Sequence, residues 1–157
     1  IFVADGHNPL DTNMRIVKYS KDGTFIKEWG KKGTAPGELD GAHGLAFDSR
    51  GRLFVADRGN QRIQIFDQDG GFIDAWTQFG SPSGLFISPD DVLYVADLAE
   101  GIRIGSAKDG SLSAFIMAPV PESGTARVAE SVAVDAQGTL YAGENAGMKL
   151  LKCAGRP

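Results

Sequence analysis

A four-part pattern returns along the chain at intervals of 40 to 52 residues, and it constrains the fold more than any other feature of the sequence. Its clearest part is a short apolar run that ends in aspartate in three of its four copies, which are residues 1–5, 53–57, 93–97 and 140–143. Aromatic and β-branched residues of this kind favour strands. A period of this length is typical of propellers and solenoids, in which each repeat packs on its neighbours.

Three other short runs accompany this one. One precedes it at 43–48, 83–88 and 130–135, one follows it at 15–19, 62–66, 103–105 and 149–152, and the last lies at 25–29, 72–76 and 112–116. Asp-Gly pairs separate the last two runs and supply the left-handed backbone that a tight hairpin turn requires. The pattern therefore predicts four antiparallel strands per repeat and no helix.

Four short antiparallel strands form the sheet of one propeller blade, and neighbouring blades cover its faces. We therefore predict an all-β fold, a β-propeller of four-stranded antiparallel blades. Its predicted units are a partial blade at 1–40, whole blades at 41–80 and 81–120, and a partial blade at 121–157. A closed ring takes more blades than this. We expect either self-association that completes the propeller or a chain that is a fragment of a longer one.

Composition and charge limit the classes of partner that we expect for this chain. The chain has 157 residues, of which 42% are apolar, enough for a sizeable core. Sixteen basic and twenty acidic residues leave a net charge of −4, which provides no field for a nucleic acid backbone. No apolar run is long enough to span a bilayer, so no membrane contact is expected. The single cysteine, Cys153, is expected to be a buried, unreactive thiol.

Residues 55–66 and 69–73 resemble the NHL repeat, and the resemblance extends over nearly the whole chain. Within this group, the stretch from residue 1 to Phe66 is similar to bacterial relatives of peptidyl-α-hydroxyglycine α-amidating lyase. The resemblance implies a six-bladed, zinc-dependent propeller that releases glyoxylate from a hydroxylated peptide terminus. In that family, zinc is held by histidines that begin the innermost strands of alternate blades.

The resemblance also implies site residues. His43 matches one metal-binding position, and Glu130 occupies the corresponding position two blades later, so both are candidate ligands for zinc or calcium. His7 stands where the family has a catalytic tyrosine and is the candidate base, with a metal-bound water as the alternative. Arg58 is the candidate for orienting a substrate carboxylate. For His43, the alternative is a residue that caps the start of a strand.

The loops on this face also contain Asp5, Asn60 and Arg62, which are the candidate ligand-binding residues. Aspartate and arginine recur in most copies, which favours a role that every blade needs, such as accepting hydrogen bonds from the following loop. Two functions remain open. The first is a binding module for a peptide, small molecule or protein on the channel face. The second is a metal-dependent lyase.

Overall fold

The structure is a computed structural model that describes residues 1–6, 13–117, 129–144 and 149–153. The described residues form fourteen strands and one 3-10 turn at Arg58–Asn60, with no α-helix. The strands are β1 (Phe2–Asp5), β2 (Arg15–Tyr19), β3 (Phe25–Trp29), β4 (Ala42–Phe47), β5 (Leu53–Asp57), β6 (Arg62–Phe66), β7 (Phe72–Trp76), β8 (Pro82–Ile87), β9 (Val92–Asp97), β10 (Gly101–Ser106), β11 (Leu112–Met117), β12 (Ser131–Val134), β13 (Leu140–Glu144) and β14 (Lys149–Cys153).

These strands make four separate antiparallel sheets. The sheets are β1-β2-β3, β4-β5-β6-β7, β8-β9-β10-β11 and β12-β13-β14, each with its strands in chain order. Every pairing is between consecutive strands, so each sheet is a meander of hairpins. These are the blades of a β-propeller, as the sequence predicts.

The core is divided among the three interfaces between successive sheets. Strand β5 shows how, because all five of its residues are buried. Leu53 and Val55 join the cluster shared with the first sheet, whereas Phe54 joins the cluster shared with the third sheet. Successive side chains of a strand point to opposite faces, so one short run serves two interfaces. A third cluster, around Val132 and Leu140, joins the last two sheets.

The innermost strands β4, β8 and β12 approach each other closely. A Cβ atom on Gly44 would lie 2.6 Å from the carbonyl oxygen of Ser83, and one on Gly84 would lie 2.7 Å from the Cα atom of Ser131. Only glycine permits such contacts between backbones. The two glycines therefore bring the starts of three inner strands together.

One hairpin turn has an aspartate where the equivalent turns have glycine. Asp91 lies between β8 and β9 with a φ of +67°, where the turns after β4 and β12 have Gly51 and Gly138. Its carboxylate is buried and accepts hydrogen bonds from Ser49 of the neighbouring sheet, 2.8 Å from its N and 2.7 Å from its Oγ. These bonds lower the pKa of Asp91. An inter-blade contact offsets the strain of this turn.

Two further expectations concern exposure. Cys153 is half-buried, so the prediction of a buried thiol was wrong; it lies in the last strand, where the described residues do not cover it completely. Within the described ranges, no helix has the length and apolar character to span a bilayer.

Candidate functional site

A hollow of about 320 Å³ lies where the three innermost strands begin, and we call it the inner-strand hollow. Each strand contributes three consecutive residues, and these are His43, Gly44, Leu45, Ser83, Gly84, Leu85, Glu130, Ser131 and Val132. The two candidate metal ligands thus line the same space although they are distant in sequence. They share it with Ser83, which occupies the equivalent position of the strand between them.

The imidazole of His43 has a defined tautomer. Its Nδ1 lies 2.7 Å from the carbonyl oxygen of Gly41. A carbonyl oxygen only accepts hydrogen bonds, so Nδ1 carries the proton. In the neutral ring, the lone pair is then on Nε2. Histidines that bind metals have the same arrangement, in which one ring nitrogen donates to a carbonyl group and the other is the ligand.

The Gly41 carbonyl also joins His43 to Arg58. The backbone N of Arg58 lies 3.3 Å from this oxygen, and the backbone N of Gly59 donates to the Asp40 carbonyl at 2.7 Å. The 3-10 turn at Arg58–Asn60 is therefore held against the start of β4. The Arg58 backbone therefore lies close to His43, but the Arg58 side chain does not line the hollow.

Glu130 lines the hollow directly before the start of β12. Its backbone N donates to the carbonyl oxygen of Gly143 at 2.9 Å, which continues the β12–β13 pairing by one residue. Among the described residues, the Glu130 carboxylate has no hydrogen-bond or ion-pair partner. It therefore gives this part of the hollow an anionic hydrogen-bond acceptor.

Asn60 and Arg62 have different surroundings from His43. The Asn60 Nδ2 donates to the Gly33 carbonyl and to Asp57, each at 2.9 Å. The Arg62 guanidinium donates to Asp57 at 2.8 Å and to the carbonyl oxygens of Thr34, Ala35 and Glu38. These donors hold the loop 31–40 over the second sheet. A direct role in ligand binding stays a prediction for both residues.

Asp57 is the centre of this network. Its carboxylate is fully buried and accepts hydrogen bonds from the Asp40 backbone, Asn60, Arg62 and Gln64 at 2.7 to 2.9 Å. The buried charge is thus well compensated by donors. Because Asp40 directly precedes Gly41, the network also positions the backbone that orients His43.

The same pair of side chains recurs in two other sheets. Nε of Arg15 lies 2.8 Å from Asp5, and Nε of Arg103 lies 2.8 Å from Asp97. Asp5 also helps to hold Arg15, whose pKa is raised chiefly by this hydrogen bond. Asp5 is not among the residues that line the hollow, so its role as a ligand-binding residue stays a prediction.

Two predictions for this site are the base His7 and a bound metal ion. His7, the candidate base, lies outside the described residues. Among the described residues, no three His, Cys, Asp or Glu side chains are grouped closely enough to hold a metal ion. His43 and Glu130 are therefore two candidate metal ligands in one hollow. A catalytic zinc site takes three protein ligands.

Comparison with known proteins identifies the repeat. The family model of the NHL repeat matches residues 39–66, which contain the strands β4, β5 and β6. This chain contains an NHL repeat. The Asp57–Arg62 network therefore lies in the part of the chain where the NHL pattern is strongest, which agrees with a structural role for these two residues.

Relatives of this chain include an NHL repeat-containing protein and a peptidyl-glycine alpha-amidating monooxygenase. It is 41% identical to human NHL repeat-containing protein 3 over 104 residues, which cover 62% of this chain and 29% of that protein. It is 30% identical to peptidyl-glycine alpha-amidating monooxygenase B of Xenopus laevis over 161 residues, covering 91% of this chain and 18% of that protein. The chain thus spans less than a third of either relative.

Solved structures support the fold. A gluconolactonase from Xanthomonas campestris matches with a TM-score of 0.60 at 22% identity, covering 85% of this chain and 42% of that one. The WD40 repeats of RRP9 match with a TM-score of 0.62 at 18% identity, covering 92% of this chain and 46% of that one. Identities this low show the propeller fold alone.

Ser83 is a member of the hollow that was not predicted from the sequence, whereas the segment 129–131 was expected on this face. The signal was present, because Ser83 aligns with His43 and Ser131 aligns with Gly44 in the repeat. Ser131 is exposed and replaces a glycine that the first two inner strands use for close packing. Aligning the strand starts by repeat position is therefore the way to find this site in an NHL chain.

Proposed function

We propose that this NHL chain is a binding module whose ligand occupies the inner-strand hollow. The observation that carries the proposal is that three residues at or next to the starts of successive inner strands, His43, Ser83 and Glu130, line one space. Clefts that combine apolar walls with a few converging polar groups are the usual form of a ligand site. Here Leu45 and Leu85 provide apolar surface beside those polar groups.

The chemistry of the hollow favours a ligand that donates hydrogen bonds. Glu130 supplies a carboxylate to the hollow, which the polar side chains of His43 and Ser83 also line. A carboxylate in the hollow complements an ammonium or guanidinium group better than another carboxylate. We therefore propose a peptide ligand with a free amino or guanidinium group that enters the hollow.

Calorimetric titration with a panel of short peptides tests this proposal. Each peptide is used with a free and with an acetylated amino terminus, and with lysine or arginine replaced by norleucine. We expect Glu130→Gln to weaken binding of the cationic peptides by about 1.5 to 3 kcal/mol, the value of a charge-assisted hydrogen bond. Glu28→Gln, which removes the same charge from an outer strand, is the matched control.

The two variants also define the contrary result. A ligand that binds wild type, E28Q and E130Q equally does not use the hollow, and a panel in which acetylation has no effect contradicts the proposed cationic contact. Either result would move the search from the hollow to the loops that Arg62 and Asn60 organise.

A metal-dependent lyase is the second candidate. It is supported by the tautomer of His43 and by the similarity to the amidating monooxygenase along 91% of the chain. An imidazole and a carboxylate fit zinc better than calcium, which takes oxygen ligands only. His43 and Glu130 would hold the ion, and His7 and Arg58 would serve as base and as partner of a substrate carboxylate.

Bound zinc would supply Lewis-acid chemistry at this site. Elemental analysis of protein purified without added metal tests whether the ion is present. The lyase proposal expects about one zinc per site, its loss in His43→Ala, and release of glyoxylate from a peptidyl-α-hydroxyglycine. Metal-free wild-type protein that stays metal-free after zinc is added and removed by gel filtration would contradict it.

A further inference from the structure

The outer strands β3, β7 and β11 each leave one edge without a partner strand among the described residues. An edge strand presents unpaired N–H and C=O groups and can pair with another chain unless something blocks it. Natural sheets block their edges with charged side chains, bulges or proline. The edges formed by β3, β7 and β11 share a bulge near the start of the strand but differ in their side chains.

Strand β7 closes its own edge with Asp74. One carboxylate oxygen accepts a hydrogen bond from the backbone N of Ala75 at 2.8 Å, and the other accepts one from Nε1 of Trp76 at 2.8 Å. Ala75 lies opposite Gln64 of β6. The Ala75 N–H is bonded to Asp74 and therefore points away from β6. The Asp74 side chain thus occupies the donor that a pairing strand would need.

Strand β3 carries charges at the same two places. Lys27 and Glu28 occupy the positions of Asp74 and Ala75, counted from the bulge. Nζ of Lys27 lies 2.5 Å from the Asp69 carbonyl oxygen, and Glu28 accepts a hydrogen bond from Arg15 at 2.8 Å. A strand that paired here would have to desolvate a charged side chain.

Strand β11 has neither device. Ala114 and Phe115 occupy the positions of Asp74 and Ala75, and the six residues of the strand include no charge and no proline. Phe115 lies opposite Arg103 of β10, in the place that Ala75 has opposite Gln64 of β6. The Phe115 N–H therefore also points outwards. The edge is apolar as well, since Met117 is 71% exposed and Leu112 45%.

We propose that β11 is an open pairing edge and that β11 of a second copy of this chain pairs with it, antiparallel and about a twofold axis. Self-pairing brings no charge of the strand against a like charge. The nearest cation, Arg103, stacks on the Phe115 ring at 5.2 Å and is neutralised by Asp97 and Glu100.

The geometry suits a closed pair. An axis through Phe115 lets each Phe115 N–H donate to the Phe115 carbonyl of the other copy, as in a hydrogen-bonded antiparallel pair. The two rings then lie side by side on one face. Because both copies use the same surface, the contact is self-complementary and ends at two chains. It leaves the inner-strand hollow open, so it is independent of the proposed ligand.

Light scattering across a range of protein concentrations tests the proposal with one variant and one control. Ala114→Asp transfers the Asp74 device to β11, where the new carboxylate can accept the Phe115 N–H. Ala136→Asp adds the same charge in an exposed turn between β12 and β13. We expect wild type and A136D to approach twice the mass of the chain on concentration, and A114D to raise the dissociation constant at least about tenfold.

Hydrogen exchange of wild-type protein gives a second readout that needs no substitution. The Phe115 amide should exchange at least about tenfold more slowly at high than at low protein concentration. The Ala75 amide, already bonded to Asp74, should exchange at the same rate at both. Wild-type protein that remains monomeric, a pair that A114D leaves intact, or Phe115 exchange that does not depend on concentration would each overturn the proposal.

Discussion

Replacing the recurring aspartates one at a time should destabilise the protein by very different amounts. Asp57 is fully buried and its Arg62 partner has a side chain only 12% exposed, whereas the Asp5 and Arg15 side chains are about one-third exposed. A buried charge that loses its partner costs far more than a solvated one. Three residues at the same repeat position thus provide an internally controlled series.

The size of the effect follows from the hydrogen bonds. Asp57→Ala removes the acceptor of four donors, and breaking a buried ion pair costs about 3 to 5 kcal/mol. Arg62 keeps its three carbonyl partners in the loop 31–40, so we expect the lower end of that range. Asp97→Ala removes the acceptor of three donors and should cost less. Asp5→Ala should have the smallest effect.

Urea unfolding followed by tryptophan fluorescence measures these differences. With a denaturant slope of about 1 to 3 kcal/mol per molar, the Asp57→Ala midpoint should fall by about 1 to 3 M. Burial and donor number determine the order in this reasoning. A loss in D57A that is no larger than the loss in D5A would therefore refute it, since both residues occupy the same place in the repeat.

Three other substitutions test the contacts between the blades. Gly44→Ala puts a Cβ atom 2.6 Å from the Ser83 carbonyl oxygen, so it should cost about 1 to 3 kcal/mol and lower the Tm by several degrees in calorimetry, whereas Ser131→Ala should leave the Tm nearly unchanged. Ser49→Ala removes a hydrogen bond that lowers the Asp91 pKa below its ordinary value of 3.8. The stability that this hydrogen bond contributes is present above pH 3.8 and is lost as the pH falls through the lowered pKa of Asp91. The urea midpoints of wild type and S49A should therefore differ most near pH 7 and converge below about pH 4. Equal separation of the midpoints at pH 7 and pH 3 would contradict the assignment.

Most of the fold was predictable because its signals are local. Strand β5 was expected at 53–57 and lies at Leu53–Asp57, since alternation of side chains and the following polar turn define a strand within a few residues. Strand β10 was expected at 103–105 and extends over Gly101–Ser106. Its extra residues include glycine and serine, which have no strand preference of their own and are held by pairing with β9 and β11.

The candidate site was predictable only in part. The repeat and the family resemblance singled out His43 and Glu130, because equivalent strand starts meet at the centre of a propeller. Ser83 was overlooked because a serine carries no chemical signature of its own. The partners of Asn60 and Arg62 were beyond sequence reasoning as well, since the loop 31–40 that they hold is replaced after β7 by a connection of only five residues, 77–81.

By itself, the sequence determined the strands, their hairpin order and the repeat that makes them blades, because period-two alternation and Asp-Gly turns act over a few neighbouring residues. The tertiary structure decided what each recurring residue experiences. Asp5 and Asp57 are the same residue at the same repeat position, yet one is partly solvated and the other is buried among four donors. Burial depends on which sheets stack on either side, and that is a property of contacts between distant segments rather than of local sequence.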